Sequence, residues 1–431
     1  MIKNLISMFK NKEIRNRILF TLAMLFVFRL GGGIPMPGIN TQALTAGIGD
    51  NGLLGMMNLL GGGAMERFSV FAMGVGPYIT ASIIIQLLAM DVIPQLAEMS
   101  KNGQQGRMQM DKITRYLGVV LGLVQGYTMT FAFQQNYGIL TRTPTMSTYL
   151  FIAIVLTAGS MFVVWIGDRI SQFGIGNGIS MIIFAGIVAN LPWQFISAYE
   201  TLVTTKTGTE TFSGVMQFAL LIIVYIAIIV LVIFMGEATR KIPIQYTSSG
   251  ARSQGKSVNF LPLKINSASV VPVIFASSVM VAPVTVLSFF PANSTTLLIR
   301  DILNFQKPVG LAIYITLVIL FTFFYTNLQV DPKQIAENLN KQGTYILGIR
   351  PGSETVAYIS KVLNRITVLG AMFLAVIAAL PYLLPMLLKD IPAAISLGGT
   401  GIIIVVGVAL ETVKDLEGKL TQKAYRGFVR K

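Results

Sequence analysis

Apolar residues fall along the chain in long runs rather than in the short alternating stretches of a soluble fold. Ten such runs can be drawn, at about 18–33, 68–90, 117–134, 149–167, 178–192, 213–235, 269–290, 308–328, 365–384 and 397–411. Many approach the ~20 residues that a helix needs to cross a bilayer core. Their period is helical, which excludes an outer-membrane barrel and predicts an all-α polytopic membrane protein of ten transmembrane helices. Five runs precede residues 193–212 and five follow. An odd number per half makes the halves enter the membrane from opposite sides, so two inverted five-helix halves are expected from topology alone. The expected organisation is an N-terminal half at 1–192, an external hinge loop at 193–212, a C-terminal half at 213–412 and a cytoplasmic tail at 413–431.

The second run is irregular. Leu53, Leu54, Gly55, Met56, Met57, Asn58, Leu59 and Leu60, followed by Gly61, Gly62 and Gly63, form a piece too short and too Gly-broken to span. The run at 68–90 is then interrupted by Gly74-Val75-Gly76-Pro77. Non-helical backbone at membrane depth is tolerated where it is buried in protein or lines a cavity. A short re-entrant piece before a half-length helix therefore suggests something seated in a pore; an external amphipathic loop is the plainer alternative.

Composition agrees with the membrane reading: 53% of residues are hydrophobic and 12% charged, about half the charged fraction of a soluble domain. The net charge of +15 would suggest nucleic-acid binding in a soluble chain. With both termini placed in the cytoplasm, however, 26 of the 33 Lys and Arg fall in cytoplasmic segments. The charge is then explained by membrane orientation, and no DNA partner is expected. Lys10, Lys12, Arg15 and Arg17 precede apolar Ile18–Phe28 as in a signal peptide, but no small-residue cleavage site follows. The run is read as a retained first transmembrane helix in a multi-pass plasma-membrane protein. The chain has no Cys and no His, so thiolate and imidazole chemistry and the usual zinc sites are excluded, and no cofactor or metal is expected.

Two motifs mislead. Gly250-Ala251-Arg252-Ser253-Gln254-Gly255-Lys256-Ser257 fits the P-loop pattern, yet Val258-Asn259-Phe260-Leu261-Pro262 cannot open the helix that would hold phosphate. Gly174-Ile175-Gly176-Asn177-Gly178 lacks dinucleotide-binding spacing and follows no βαβ pattern; it lets the fifth helix begin close against its neighbours. Asn293-Ser294-Thr295 is a sequon of the kind chance supplies. More informative is an absence. Apart from Arg29, no Asp, Glu, Lys or Arg lies in the interior of an apolar run, whereas coupled transporters and pumps mark their pathways with such residues. Catalytic pairs for an intramembrane protease are missing too. A passive, non-enzymatic channel or scaffold remains, with energy supplied by a partner. Ile79 and Ile83, and likewise Ile179 and Ile183, are spaced to stack on one helix face, which by itself is ordinary packing.

Taken in order, several stretches resemble the SecY family, the central subunit of the bacterial protein-translocation channel. They are Phe68–Gly74, Tyr78–Leu88, Gly174–Val188, Leu261–Asn266, Val271–Ser278, Ala336–Leu339, Gly348–Gly352 and Gly398–Thr400. The resemblance implies a pore closed by a ring of six aliphatic side chains, here Ile79, Ile83, Ile179, Ile183, Ile274 and Ile404. It also implies a plug at about 53–67, comprising Leu53, Leu54, Met56, Met57, Leu59, Leu60 and Gly61–Gly63. A lateral gate between the second and seventh helices follows, with Ser82, Gln86, Ser277 and Ser278 as polar contacts across it. The loops at 237–268 and 329–365 would dock partners through Arg252, Lys256 and Arg350, although the first loop carries fewer basic residues at its tip than is usual in the family. The implied function is the protein-conducting channel of the general secretion pathway, passing unfolded polypeptides and releasing transmembrane segments sideways into lipid. Implied partners are SecE, a SecG-like subunit, the motor ATPase SecA, the ribosome, and precursors carrying signal sequences. A small-solute transporter is disfavoured by the charge-free helices. A specialised accessory channel is disfavoured by the full motif set.

Overall fold

The computed structural model describes residues 11–41, 63–65, 67–90, 92–141, 143–204, 209–246, 259–287, 293–305, 307–387 and 393–428. Helices dominate: α1 (Lys12–Gly32), α2 (Gly76–Leu88), α3 (Pro94–Lys101), α4 (Gly103–Tyr137), α5 (Met146–Phe173), α6 (Gly178–Tyr199) and α7 (Thr209–Glu237) in the first part. Then follow α8 (Val271–Leu287), α9 (Ser294–Ile302), α10 (Pro308–Gln329), α11 (Pro332–Lys341), α12 (Ser353–Leu387) and α13 (Ala393–Phe428). Each of the ten expected apolar runs contains helix, although the run at 68–90 becomes helical only from Gly76. Among the described residues, six helices are long and apolar enough to cross a membrane, and Gly76–Leu88 and Val271–Val281 are shorter apolar helices.

The helices pack in a pattern that repeats. In the first half α2 packs on α4, α4 on α5, α5 on α6, and α1 on both α5 and α6. In the second half α8 packs on α10, α10 on α12, α12 on α13, and α7 on both α12 and α13. The counterparts α2 and α8 touch each other, as do α6 and α13. This is the contact pattern that a pseudo-two-fold repeat of five spans produces, and no sequence identity between the halves announced it.

The irregular stretch before α2 is as expected for buried non-helical backbone. Ala64, Met65, Phe68, Phe71, Ala72 and Val75 are buried, and their backbone groups find partners locally. Ser69 N–H donates to Ala64 O at 2.9 Å, Val70 N–H to Ile34 O at 3.2 Å, and Gly76 N–H to Met73 O at 3.1 Å. Ser160 Oγ of α5 donates to Gly74 O at 2.7 Å. The helix can start only at Gly76, with Pro77 in its first turn, where a missing N–H costs nothing. Of the expected plug residues, Leu53 through Gly62 lie outside the described residues; Gly63 is present in a turn with φ +78°.

One expectation needs correction. The segment 193–212 is not a loop throughout: α6 runs through Pro192 to Tyr199 and continues as a π-helical turn, Glu200–Thr204. Ala198, Leu202 and Val203 are buried in the main hydrophobic cluster, and that packing holds the chain helical past the proline. The two large loops come together in one sheet. β1 (Thr239–Tyr246) pairs antiparallel with β2 (Asn259–Lys264) and with β3 (Thr344–Ile346), in the order β2-β1-β3. Ile242, Leu263, Leu339, Ile346, Ile359 and Leu363 close a small core beneath this sheet, so both loops form one body standing on α12.

The glycine cluster Gly174–Gly178 acts as expected. A β-carbon on Gly178 would lie 1.8 Å from Gly167 O of α5 and 2.9 Å from Ile170 Cβ, so only glycine lets α6 start here. Gly178→Ala is expected to destabilise the protein by about 1–3 kcal/mol through overpacking. Thermal unfolding of the detergent-solubilised complex checks this, and an unchanged midpoint would refute it.

Candidate functional site

The six isoleucines sit on α2, α6, α8 and α13. Ile79, Ile83, Ile183, Ile274 and Ile404 are 5, 3, 2, 5 and 2% exposed, all within one hydrophobic cluster, and the half-buried Ile179 packs against it. The pairs of helices that carry them both run across the junction of the halves. α2 lies on α8, and α6 lies on α13. A constriction lined only by branched aliphatic side chains is dry, and a dry narrow pore blocks ions without a charged gate. The same side chains form no directional bonds, so they can close around a passing chain of any sequence.

Along the α2–α8 seam the expected polar residues bond within their own helices rather than across. Gln86 Nε2 donates to Ser82 Oγ at 3.0 Å. Ser277 Oγ and Ser278 Oγ both donate to Ile274 O, at 2.8 and 2.9 Å. Two hydroxyls on one carbonyl loosen the helical ladder at Ile274. Gln86 Oε1 is buried without a hydrogen-bond partner.

Arg350 is exposed in the turn between β3 and α12. Gly348 and Gly352 flank it with φ +79° and +106°, conformations that glycine adopts without strain. Thr355 Oγ1 donates to Arg350 O at 2.8 Å, so the backbone of the tip is fixed while the guanidinium is free to reach outward. Arg252 and Lys256 lie outside the described residues. What sequence reasoning missed is that β1 adds Arg240 and Lys241, both exposed, to the same sheet-bearing body. The signal was a period of two in Ile242/Ile244 and Leu261/Leu263. Pro243 and Pro262 obscured it, since proline is confined to positions where no ladder bond is needed.

Comparison with known proteins gives a consistent result. The family model described as SecY matches residues 69–413. Protein translocase subunit SecY of Staphylococcus aureus (strain NCTC 8325 / PS 47) is 46% identical over 431 residues, covering 99% of both chains. The protein of the same name from Staphylococcus carnosus (strain TM300) is 44% identical with the same coverage. Among solved structures, a protein conducting channel superposes with a TM-score of 0.66 at 18% identity, over 97% of this chain and 95% of the other. Sec61 in a canine ribosome-channel complex superposes with a TM-score of 0.64 at 17% identity, with the same coverage. At those identities the superpositions speak to the fold.

Proposed function

The chain belongs to the SecY family, and from that premise we propose how its residues work as a translocation channel. It is the channel-forming subunit of a protein translocase, a multi-pass membrane protein and not an enzyme. It conducts unfolded secretory chains across the membrane and lets transmembrane segments leave sideways, driven by a partner. The observation that carries the site assignment is the burial of Ile79, Ile83, Ile183, Ile274 and Ile404 in one cluster at the junction of the halves. These five and Ile179 are the seal. Residues 53–67 are the plug on its external side. The α2–α8 seam is the lateral gate, where a signal core of ~7–15 apolar residues meets lipid.

Both termini face the cytoplasm, as the distribution of Lys and Arg favours. The sheet-bearing body with Arg350 then projects into the cytoplasm and is the docking surface for SecA and the ribosome, with Arg252 and Lys256 contributing at the β1–β2 tip. SecE clamps the two halves, and a SecG-like subunit completes the complex. The test is reconstitution of the chain with SecE in liposomes, with SecA, ATP and a signal-bearing precursor. Precursor should become protected from external protease, and absence of protection would count decisively against the reading.

Gln86 supplies a sharper test of the gate. A buried, unpaired acceptor costs ~1–3 kcal/mol while the seam is packed, a cost that is relieved when the seam opens. Gln86→Leu is therefore expected to favour the packed state. Precursors with a short apolar signal core should be transported about five-fold or more slowly, the weight of roughly 1 kcal/mol, while long cores pass normally. Equal rates for the short-core series would remove Gln86 from the gate.

A further inference from the structure

Among the described residues, only two that are not glycine have positive φ: Phe68 at +41° and Ser269 at +55°. Each stands just ahead of one helix of the α2–α8 seam, Phe68 ahead of Gly76 where α2 begins and Ser269 ahead of Val271 where α8 begins. In this region the Cβ of an L-residue crowds its own backbone, so the conformation persists only where the surroundings impose it. They impose it in both places. Phe68 is fully buried, its ring lies edge-on to Phe133 at 5.8 Å, and its carbonyl accepts from Met36 N–H at 3.0 Å. The Ser269 carbonyl accepts from Asn266 Nδ2 at 3.1 Å.

The turn at 265–270 that contains Ser269 is gripped at both ends. On its entry side, Ile265 N–H donates to Ala238 O at 3.0 Å. There Gly370 of α12 comes so close that a β-carbon on it would lie 2.8 Å from Ile265 O. On the exit side, a β-carbon on Gly407 of α13 would lie 2.3 Å from Val270 Cγ1. Ala268 and Val270 are 0 and 4% exposed. While Asn266 Nδ2 holds Ser269, Asn266 Oδ1 is buried without a hydrogen-bond partner. The turn therefore carries two unfavourable features that its neighbours enforce. α8 follows at once, since Val273 N–H and Ile274 N–H already donate to Val270 O, at 3.1 and 3.4 Å. Beyond the turn, α8 packs chiefly on α10, α2 and α4.

We infer that Ser269 is a specificity-determining residue of the channel: its left-handed backbone is strained while the seam is packed and relaxes when α8 moves, so it sets how apolar a signal core must be to part the seam. With α12 and α13 holding the turn and no spacer ahead of α8, displacement of α8 has to be taken up in the torsions of residues 266–270. Of these, Ser269 is the one held outside the favourable regions, so rotation there releases strain. The strain is a standing contribution against the packed seam, and it acts through α8 alone. The inference rests on the channel reading.

Phe68 is a poor place to test this, because removing its ring would empty a fully buried site. Ser269 is a clean one. Glycine takes the left-handed region without strain. Ser269→Gly, in the chain assembled with its partner subunits in proteoliposomes, should transport precursors with a short apolar signal core about five-fold more slowly than the parent. Precursors with a long core should stay within about two-fold. Ser269→Ala keeps the strained backbone without the hydroxyl and should match the parent within about two-fold in both series. Asparagine tolerates the left-handed region better than serine. Ser269→Asn should therefore slow the short-core series less than glycine does, in the same direction, and it decides the question if the glycine variant does not assemble. A Ser269→Gly channel that passes short cores at the parent's rate would overturn the inference, because the strain would then be the same in both states. So would equal slowing of the short-core and long-core series, or a Ser269→Ala channel as slow as Ser269→Gly. A parent protein that transports neither series in the same vesicles would instead sink the channel reading itself.

Discussion

Replacing Arg350 by glutamate is expected to lower motor-driven precursor transport by about ten-fold or more, the equivalent of some 1.4 kcal/mol of docking free energy. The side chain is exposed, and its turn is held by Gly348, Gly352 and the Thr355 hydroxyl rather than by the guanidinium. The fold should therefore survive the change, and the complex with SecE should purify normally. What changes is the sign of the charge offered to the partner. A guanidinium makes paired bonds to a carboxylate that an ammonium cannot copy, so Arg350→Lys should fall between wild type and Arg350→Glu. The loss should appear as a raised requirement for motor protein, and added salt should weaken the wild-type interaction in the same direction. Titrating SecA in the protease-protection assay checks this; wild-type transport at every motor concentration would refute the docking assignment.

The second large effect is on the seal. Ile404→Asn places an amide in a ring that is otherwise apolar, where Ile404 is 2% exposed. An amide with no partner there costs ~1–3 kcal/mol, and water entering the constriction relieves that cost. The resting channel should then conduct ions measurably, and precursors with weakened signal sequences should pass more readily, since the closed state has lost part of its advantage. Ile404→Leu keeps the ring dry and should stay tight. Conductance in planar bilayers separates the two, and an Ile404→Asn channel as silent as wild type would remove Ile404 from the ring.

Much of this protein is legible in its residues. The ten apolar runs, the clustering of basic residues between them and the near-absence of Asp, Glu, Lys and Arg within them are each local properties of the chain. The break at Gly74-Val75-Gly76-Pro77 was readable because proline and glycine restrict backbone geometry wherever they stand, and the helix indeed begins at Gly76. The glycines at 174–178 implied close packing for the same reason, and Gly167 O lies where a side chain on Gly178 would be. The hairpin of β1 and β2 was half legible, its period of two masked by Pro243 and Pro262. Those prolines are tolerated because β2 is an edge strand and because β3 pairs with β1 only at Ile244–Tyr246. The continuation of α6 through Pro192 was not legible, since it depends on burial of Leu202 and Val203 by the rest of the fold.

The sequence by itself determined the class of molecule: a polytopic helical membrane protein with ten apolar runs almost free of Asp, Glu, Lys and Arg, and with basic loops between them. Only the tertiary structure decided that Ile79, Ile83, Ile183, Ile274 and Ile404 are buried in one cluster, that the seam serines bond to their own helix, that two distant loops share one sheet, and that Gly176 is held by Asp415, 239 residues away. The physical reason is the solvent. In water, an apolar face must turn inward, so periodicity separates core from surface. In a bilayer, lipid is as apolar as protein, and the hydrophobic pattern cannot tell an isoleucine that seals a pore from one that faces a lipid tail.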